Sequence, residues 1–239
     1  MPGLMNVSRS WRTLHWRGSL WAKLLAAPLI LVIACAGCSE RPHPTINLYR
    51  AIQAGDLDQI KRHLFWGTDV NQPDPEGDLP LHVAARRGRV VIVRELMDHG
   101  AEVNAKNRLG QTPLYVALSH GKTQVAQVLE DAGASDEPQQ LLFGLVEAKV
   151  TDRDSLAFLI QRGADINGRN AAGEAPLHSA AASGSVLLVK RLIDEGADVN
   201  RLDAQGRTPL TIAERHNDPD VIALLRRFGA RSSASSPQQ

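Results

Sequence analysis

Cysteine is almost missing from this chain: its 239 residues include two, Cys35 and Cys38, and none follows them. No disulfide can form beyond Cys38, and neither a catalytic thiol nor a paired-cysteine zinc site is available there. Aromatic residues make up 4% of the chain, against plentiful Ala, Leu, Val and Gly. That mixture suits short, closely packed helices and speaks against a barrel built on large aromatic side chains. After the first apolar run, which starts at Leu24, no segment is long and apolar enough to stop transfer in a membrane. The net charge of +1 conceals a split: residues 1–38 carry four basic groups and no acid, leaving 23 basic against 26 acidic residues beyond them. A body of net −3 by that count has no general attraction for a polyanion, and nucleic-acid binding is excluded as an expectation.

The basic opening (Arg9, Arg12, Arg17, Lys23) is followed by LLAAPLILVI and then ACAGCSE. A charged region, an apolar stretch of about ten residues broken by Pro28 and then small residues describe a secretory signal peptide. Without a twin-arginine pair, the general secretion route is implied. The end of the leader, Ala36-Gly37-Cys38, resembles the lipobox of bacterial lipoproteins, in which the leader is cut before a lipidated cysteine. Cys38 is the preferred attachment point because Ala-Gly precedes it and Ser39 follows. Cys35 stands where the lipobox usually has leucine and is the alternative, and an ordinary signal peptide or an uncleaved anchor is the plain reading. The resemblance implies a membrane contact through an N-terminal lipid and delivery to the periplasmic side of the outer membrane. Residues 1–37 are thus read as signal peptide and 38–45 as a Pro-containing lipidated tether.

Beyond the tether the sequence repeats itself. Glycines fall at 67, 100, 133, 163, 196 and 229, separated by 33, 33, 30, 33 and 33 residues. Several sit in phrases such as HGAEVN, RGADIN and EGADVN, and upstream run DLPLHVAARRG, QTPLYVALSHG, EAPLHSAAASG and RTPLTIAERHN. This pattern resembles the ankyrin repeat, whose TPLH turn opens a pair of antiparallel helices. The resemblance implies an all-α repeat solenoid of about six stacked repeats, helix-turn-helix units with β-hairpin fingers, over residues 46–231. Residues 232–239 read as a polar, disordered tail.

Physical chemistry supports the pattern residue by residue. Pro80, Pro113, Pro176 and Pro209 suit the first position of a helix, where a missing N–H costs nothing. Ala84-Ala85 and Ala180-Ala181 let neighbouring helices approach. Val93, Leu96 and Met97, then Leu156, Leu159 and Ile160, then Val189, Leu192 and Ile193 make apolar stripes on each second helix. The recurring glycine suits a left-handed helix end, and Asp218 before Pro219 reads as an N-cap. The first copy (46–74) lacks TPLH and the last carries Arg226 where inner copies are apolar, so both read as caps. The fourth copy (141–170) is three residues short and has Leu142-Phe143-Gly144 where TPL belongs. Its finger is therefore expected to be reduced or reshaped, leaving a break in the groove that is either a tolerated deletion or a partner-shaped notch.

Catalytic and ligand-binding motifs are missing. His82 and His178 occupy the TPLH position, where ankyrin histidines bond within the turn, and Tyr115 replaces the histidine in the third copy. The other histidines lack metal-ligand spacing. Gly121-Lys122-Thr123 ends like a phosphate-binding loop, but Val116 stands where its first glycine is required. Asp74 with Glu76 is no more than a chance carboxylate pair. No cofactor or metal is expected, and an enzyme with a cryptic groove site is the weakest reading.

The resemblance implies a protein partner bound along the concave face of fingertips and first helices by a monomeric chain. Carried across the repeats, the contact positions are Glu76, Asp78, Arg86 and Arg87; then Arg108, Leu109, Gln111, Ser119 and His120; then Ala171, Glu174 and Ser183; and finally Leu202, Gln205, Arg207, Arg215 and His216. Arg86, Arg87, Arg89 and Arg108 cluster beside the acidic finger Asp74–Asp78 and would favour an acidic partner patch. For any one of them the plain reading is a solvated charge. The expected function is a protein-binding module held in the cell envelope that scaffolds or protects an envelope protein. The alternatives are an immunity protein against a periplasmic toxin and a structural tether to the cell wall.

Overall fold

The computed structural model describes residues 42–233. The leader, both cysteines and the tail from 234 onward lie outside the described residues. Twelve helices run in order among the described residues: α1 Leu48–Ala54, α2 Leu57–Phe65, α3 Pro80–Arg87, α4 Val90–Asp98, α5 Pro113–Ser119, α6 Thr123–Asp131, α7 Pro138–Glu147, α8 Arg153–Gln161, α9 Pro176–Ala182, α10 Val186–Asp194, α11 Pro209–His216 and α12 Pro219–Arg227. They pair as six hairpins and stack in two layers. The odd-numbered helices pack one on the next through α1, α3, α5, α7, α9 and α11, and the even-numbered helices line up behind them. No strand is assigned among these residues, so the fingers are tight turns rather than extended β-hairpins.

Sequence sets several helix boundaries. Pro80, Pro113, Pro176 and Pro209 occupy N1 as their fixed φ favours. Thr112 and Thr208 cap their helices by accepting the N–H of Tyr115 and Thr211. Asp218 does the same for Val221 ahead of Pro219. Shortly after each second helix comes a glycine at positive φ, from Gly67 to Gly229. Such a turn costs an L-residue about 1 kcal/mol and glycine little.

The core follows the small-residue and stripe pattern. Ala84, Ala85, Ala180 and Ala181 are fully buried between first helices, as are Val93, Leu96, Leu156, Val189 and Leu192 on the second. Met97, Ile160 and Ile193 pack at its margin. Consecutive repeats are then bolted together by a row of asparagines from the quoted HGAEVN-type phrases. Asn71, Asn104, Asn167 and Asn200 each donate to the carbonyl of a glycine in the next repeat (Gly100, Gly133, Gly196, Gly229) and accept the N–H two residues further on.

The fourth repeat has a different register from the expected one. Left-handed residues end every first helix (Gly55, Gly88, Gly121, Lys149, Gly184, Asn217) and close every second (Gly67, Gly100, Gly133, Gly163, Gly196, Gly229). The step from second-helix end to next first-helix end is 21 residues everywhere except Gly133 to Lys149, where it is 16. The step from first- to second-helix end is 12 except Lys149 to Gly163, where it is 14. The shortfall of three is thus a loss of five at the finger and a gain of two between α7 and α8. Gln140-Leu141-Leu142, rather than Leu142-Phe143-Gly144, occupies the TPL place. The finger is gone altogether, and α7 starts early at Pro138 to run ten residues. Gln139 takes over the asparagine's task, bonding both N–H and C=O of Asp165.

Candidate protein-binding surface

Four fingers project beyond the first helices, and each takes the number of its repeat: the second at 74–78, the third at 107–111, the fifth at 170–174 and the sixth at 203–207. Each is closed by a backbone bond between its ends, such as Asn107 N–H to Gln111 C=O at 3.0 Å and Asp203 N–H to Arg207 C=O at 2.9 Å. The asparagine or aspartate opening each finger also accepts backbone N–H groups inside it, as Asn107 does from Leu109 and Gln111. Adjacent fingers touch: the Arg108 N–H donates to Gly77 C=O at 3.2 Å, and the Ala204 N–H to Gly173 C=O at 3.1 Å.

Beneath them, the TPLH position makes one recurrent contact. His82 Nε2 meets Gln111 C=O at 2.8 Å and His178 Nε2 meets Arg207 C=O at 3.1 Å. Tyr115 uses its hydroxyl on Gly144 C=O at 3.2 Å, and Tyr49 in the first repeat uses its own on Asp78 C=O at 2.9 Å. All four reach 29 residues ahead, so these residues tie each repeat to the next finger or its replacement. Burial lowers the His82 pKa, partly offset by its bond to Gln111, so the ring is held neutral. Burial raises the Tyr115 hydroxyl, with Glu147 adding to the effect.

Several expected contact residues also bond within the scaffold. Asp78 is buried; its carboxylate accepts from Asn107 at 2.7 Å and pairs with Arg86. Burial alone would raise its pKa, but those two partners overcome it and hold it below the usual value. Arg108 covers Gly77 and donates to Pro75 C=O. Arg207 bridges Asp203 at 2.7 Å and Glu174 at 3.3 Å. Asp203 behaves like Asp78: burial opposes its charge, and bonds from Arg207 and Gln205 outweigh it to lower the pKa. Gln111 lends its carbonyl to His82, and Ser119 and Ser183 turn back onto the carbonyls of Val116 and Ala180. Arg89 lies against Gly55. Within the arginine cluster, Arg86 and Arg108 thus have partners in the fold, while Arg87, Arg89 and Arg108 stay exposed.

What remains presented is a smaller set. Glu76, Arg87, Gln205, Arg215 and His216 are exposed, as is His120, whose ring turns back to the Val116 carbonyl. Leu109 is 76% and Leu202 48% exposed at fingertip positions. The asparagine row and the finger-to-finger bonds were not expected from the sequence. The repeated Asn in EVN, DIN and DVN was the available signal for the first. Among the described residues no group of three or more His, Cys, Asp or Glu is arranged to hold a metal, and no helix is long and apolar enough to cross a membrane.

Comparison with known proteins agrees with this geometry. A family model described as ankyrin repeats in three copies matches residues 48–139 and 145–234, breaking within α7 where the motif is lost. The chain belongs to the ankyrin-repeat family. Among solved structures, the ankyrin-repeat domain of Bcl-3, a member of the IkappaB family, superposes with a TM-score of 0.60 at 26% identity over 80% of this chain and 90% of that one. The human ASB11 ankyrin-repeat domain gives 0.60 at 28%, over 78% and 85%. A chain from the complex of the predatory endopeptidase Bd0816 of Bdellovibrio bacteriovorus with the immunity protein Bd3460 gives 0.56 at 28%, over 75% and 96%. No curated protein matches by sequence. The family is typically a non-catalytic interaction scaffold, and this chain is an ankyrin-repeat protein-binding module.

Proposed function

We propose that this module is exported, anchored by a lipid on Cys38 (Cys35 being the alternative) in the envelope of a Gram-negative bacterium, and holds a protein partner on its finger face. The observation that carries the binding surface is the contrast along that face. Asp78, Arg86, Glu174 and Arg207 are paired within the fold, whereas Leu109 and Leu202 stand exposed on a scaffold that does not need them. The basic leader and the Ala36-Gly37-Cys38 sequence support the anchoring. The membrane contact is the lipid alone, the site is periplasmic and on the outer membrane, and the chain acts as a monomer. Incorporation of labelled palmitate tests the anchor: Cys38→Ser abolishes it, whereas loss in Cys35→Ser alone moves the lipid to Cys35.

Two roles fit a partner held in this way. A scaffold leaves its envelope partner active or protects it; an immunity protein blocks it. The likeness to a chain from an endopeptidase–immunity protein complex favours the second. Assaying the recovered partner with and without this chain separates them. Undiminished activity supports scaffolding, and activity that appears only on release supports immunity.

A further inference from the structure

The fingers form an interrupted row, and the interruption has a defined chemistry. Gly77 and Gly173 are each covered by the next finger: a Cβ on Gly77 would lie 2.6 Å from Arg108 Cβ, and one on Gly173 2.4 Å from Ala204 Cβ. At Gly110, the same position of the third finger, a Cβ would meet nothing within 4 Å. The carbonyls of Gly77 and Gly173 accept the N–H of the following finger, but Gly110 C=O has no backbone donor among the described residues. Across the gap, Ala171 stands where Arg108 and Ala204 stand, and its N–H has no backbone acceptor there.

Because α5, α7 and α9 still pack in sequence, the gap is one repeat wide. Two cavities occupy it, about 520 Å³ on the third-finger side and about 460 Å³ on the fifth-finger side, and they share Gln140 of α7 as a floor residue. Leu109 borders the first cavity, and so does Asp136, whose Oδ2 is buried without a hydrogen-bond partner. Glu147 borders the second. An edge that lacks one hairpin, an acceptor on one side, a donor on the other and a carboxylate oxygen without a partner together specify what would complete them.

Building on the protein-binding reading, we propose that the missing fourth finger is supplied in trans by a tight hairpin turn of the partner protein. Its backbone N–H donates to Gly110 C=O, its carbonyl accepts from Ala171 N–H, and a Lys or Arg at its base pairs with Asp136. This is edge recognition in which main-chain bonds set register and the carboxylate selects charge. The second finger shows what an edge without such a role looks like. With no finger ahead of it, it carries Pro75 at the Ala171 position, a residue that has no N–H.

The test uses the full chain and a disulfide-cyclised peptide, CDAQGRTC, which encloses the sixth finger's own sequence and is read by fluorescence anisotropy. Saturable binding is expected, with none for the scrambled cyclic peptide CGDRATQC. Ala171→Pro and Asp136→Asn should each weaken binding about tenfold, the scale of one charge-assisted or main-chain hydrogen bond. Pro75 shows that the finger tolerates proline, and unchanged thermal unfolding would confirm it for Ala171→Pro. A chain with five finger residues restored between Ala134 and Pro138 should not bind. Lack of saturable binding, or affinity unmoved by all three changes, overturns the proposal. So does a peptide that binds only after the chain's own terminal residues are removed, which would make the occupant internal. Dimerisation on sedimentation that Ala171→Pro abolishes overturns it in favour of a second copy. If cells still yield a partner through Leu109 and Leu202 when the peptide fails, the trans hairpin falls and the protein-binding reading stands.

Discussion

Asp78 and Asn107, 29 residues apart, join side chain to side chain by a 2.7 Å hydrogen bond that ties the second finger to the third. Because Asp78 is buried and also receives Arg86, truncating it removes two hydrogen bonds to a buried charge. Asp78→Ala should destabilise the chain by about 2–3 kcal/mol, the cost of losing hydrogen bonds to a buried charge. Glu76→Ala, two residues away and exposed, should change stability by less than about 0.5 kcal/mol. Urea unfolding of both variants checks the contrast.

The same groups set a pH dependence. Asp78 and Asp203 have folded pKa values lowered from 3.8, so their contribution is full above that value and is lost as pH falls from it through the lower folded value. His82 is lowered from 6.5 by burial; the unfolded chain takes up its proton first, and stability declines as pH falls below 6.5 toward the folded value. Stability should therefore fall in two stages on acidification. His82→Tyr, which copies the residue that Tyr49 and Tyr115 supply in the same role, should remove the first stage while keeping most stability at pH 7. Unfolding midpoints measured from pH 8 to pH 3 test this.

Lys149 ends α7 at φ 55, where four of the six first helices use glycine. Its conformation costs about 1 kcal/mol, so Lys149→Gly should stabilise the chain by about that amount. Asn217→Gly, at φ 59, should gain less because asparagine tolerates this region. Differences in urea midpoint decide it.

Gly110 and Gly173 have nearly the same positive φ, 73 and 77, but different neighbours. Alanine at either position carries the backbone cost, while alanine at Gly173 also collides with Ala204. Gly173→Ala should thus destabilise more than Gly110→Ala by about 1–3 kcal/mol, the range for overpacking. Equal losses would mean that the third finger has a covered flank after all.

These contrasts show what could be read from the sequence. The 33-residue period, the prolines at N1 and the alanine pairs each report a local requirement that only one local structure meets, so helices, repeats and core were legible. The fourth repeat was legible only as a sum, because a spacing of 30 between Gly133 and Gly163 cannot separate a loss of five from a gain of two. The binding surface was the least legible part. A charged residue in a finger has the same local sequence whether it meets solvent or a group in its own or a neighbouring repeat. Asp78, Arg86, Arg108 and Arg207 therefore read as contacts in the sequence, and in the structure each also bonds within the fold. Leucine has no such second role at a fingertip, which is why Leu109 and Leu202 survive as the more informative positions.

That the exposed finger face holds a protein partner can be tested in cells. The direct measurement is cross-linking of tagged chain in intact cells, followed by recovery from membranes and mass spectrometry, comparing the native chain with Leu109→Asp/Leu202→Asp. We expect one dominant companion with the native chain, its loss with the double variant, and unfolding that differs by less than about 1 kcal/mol between the two because both sites are exposed. Equal recovery of the same companions by native and variant chains, with both well folded, would contradict a partner held on this face.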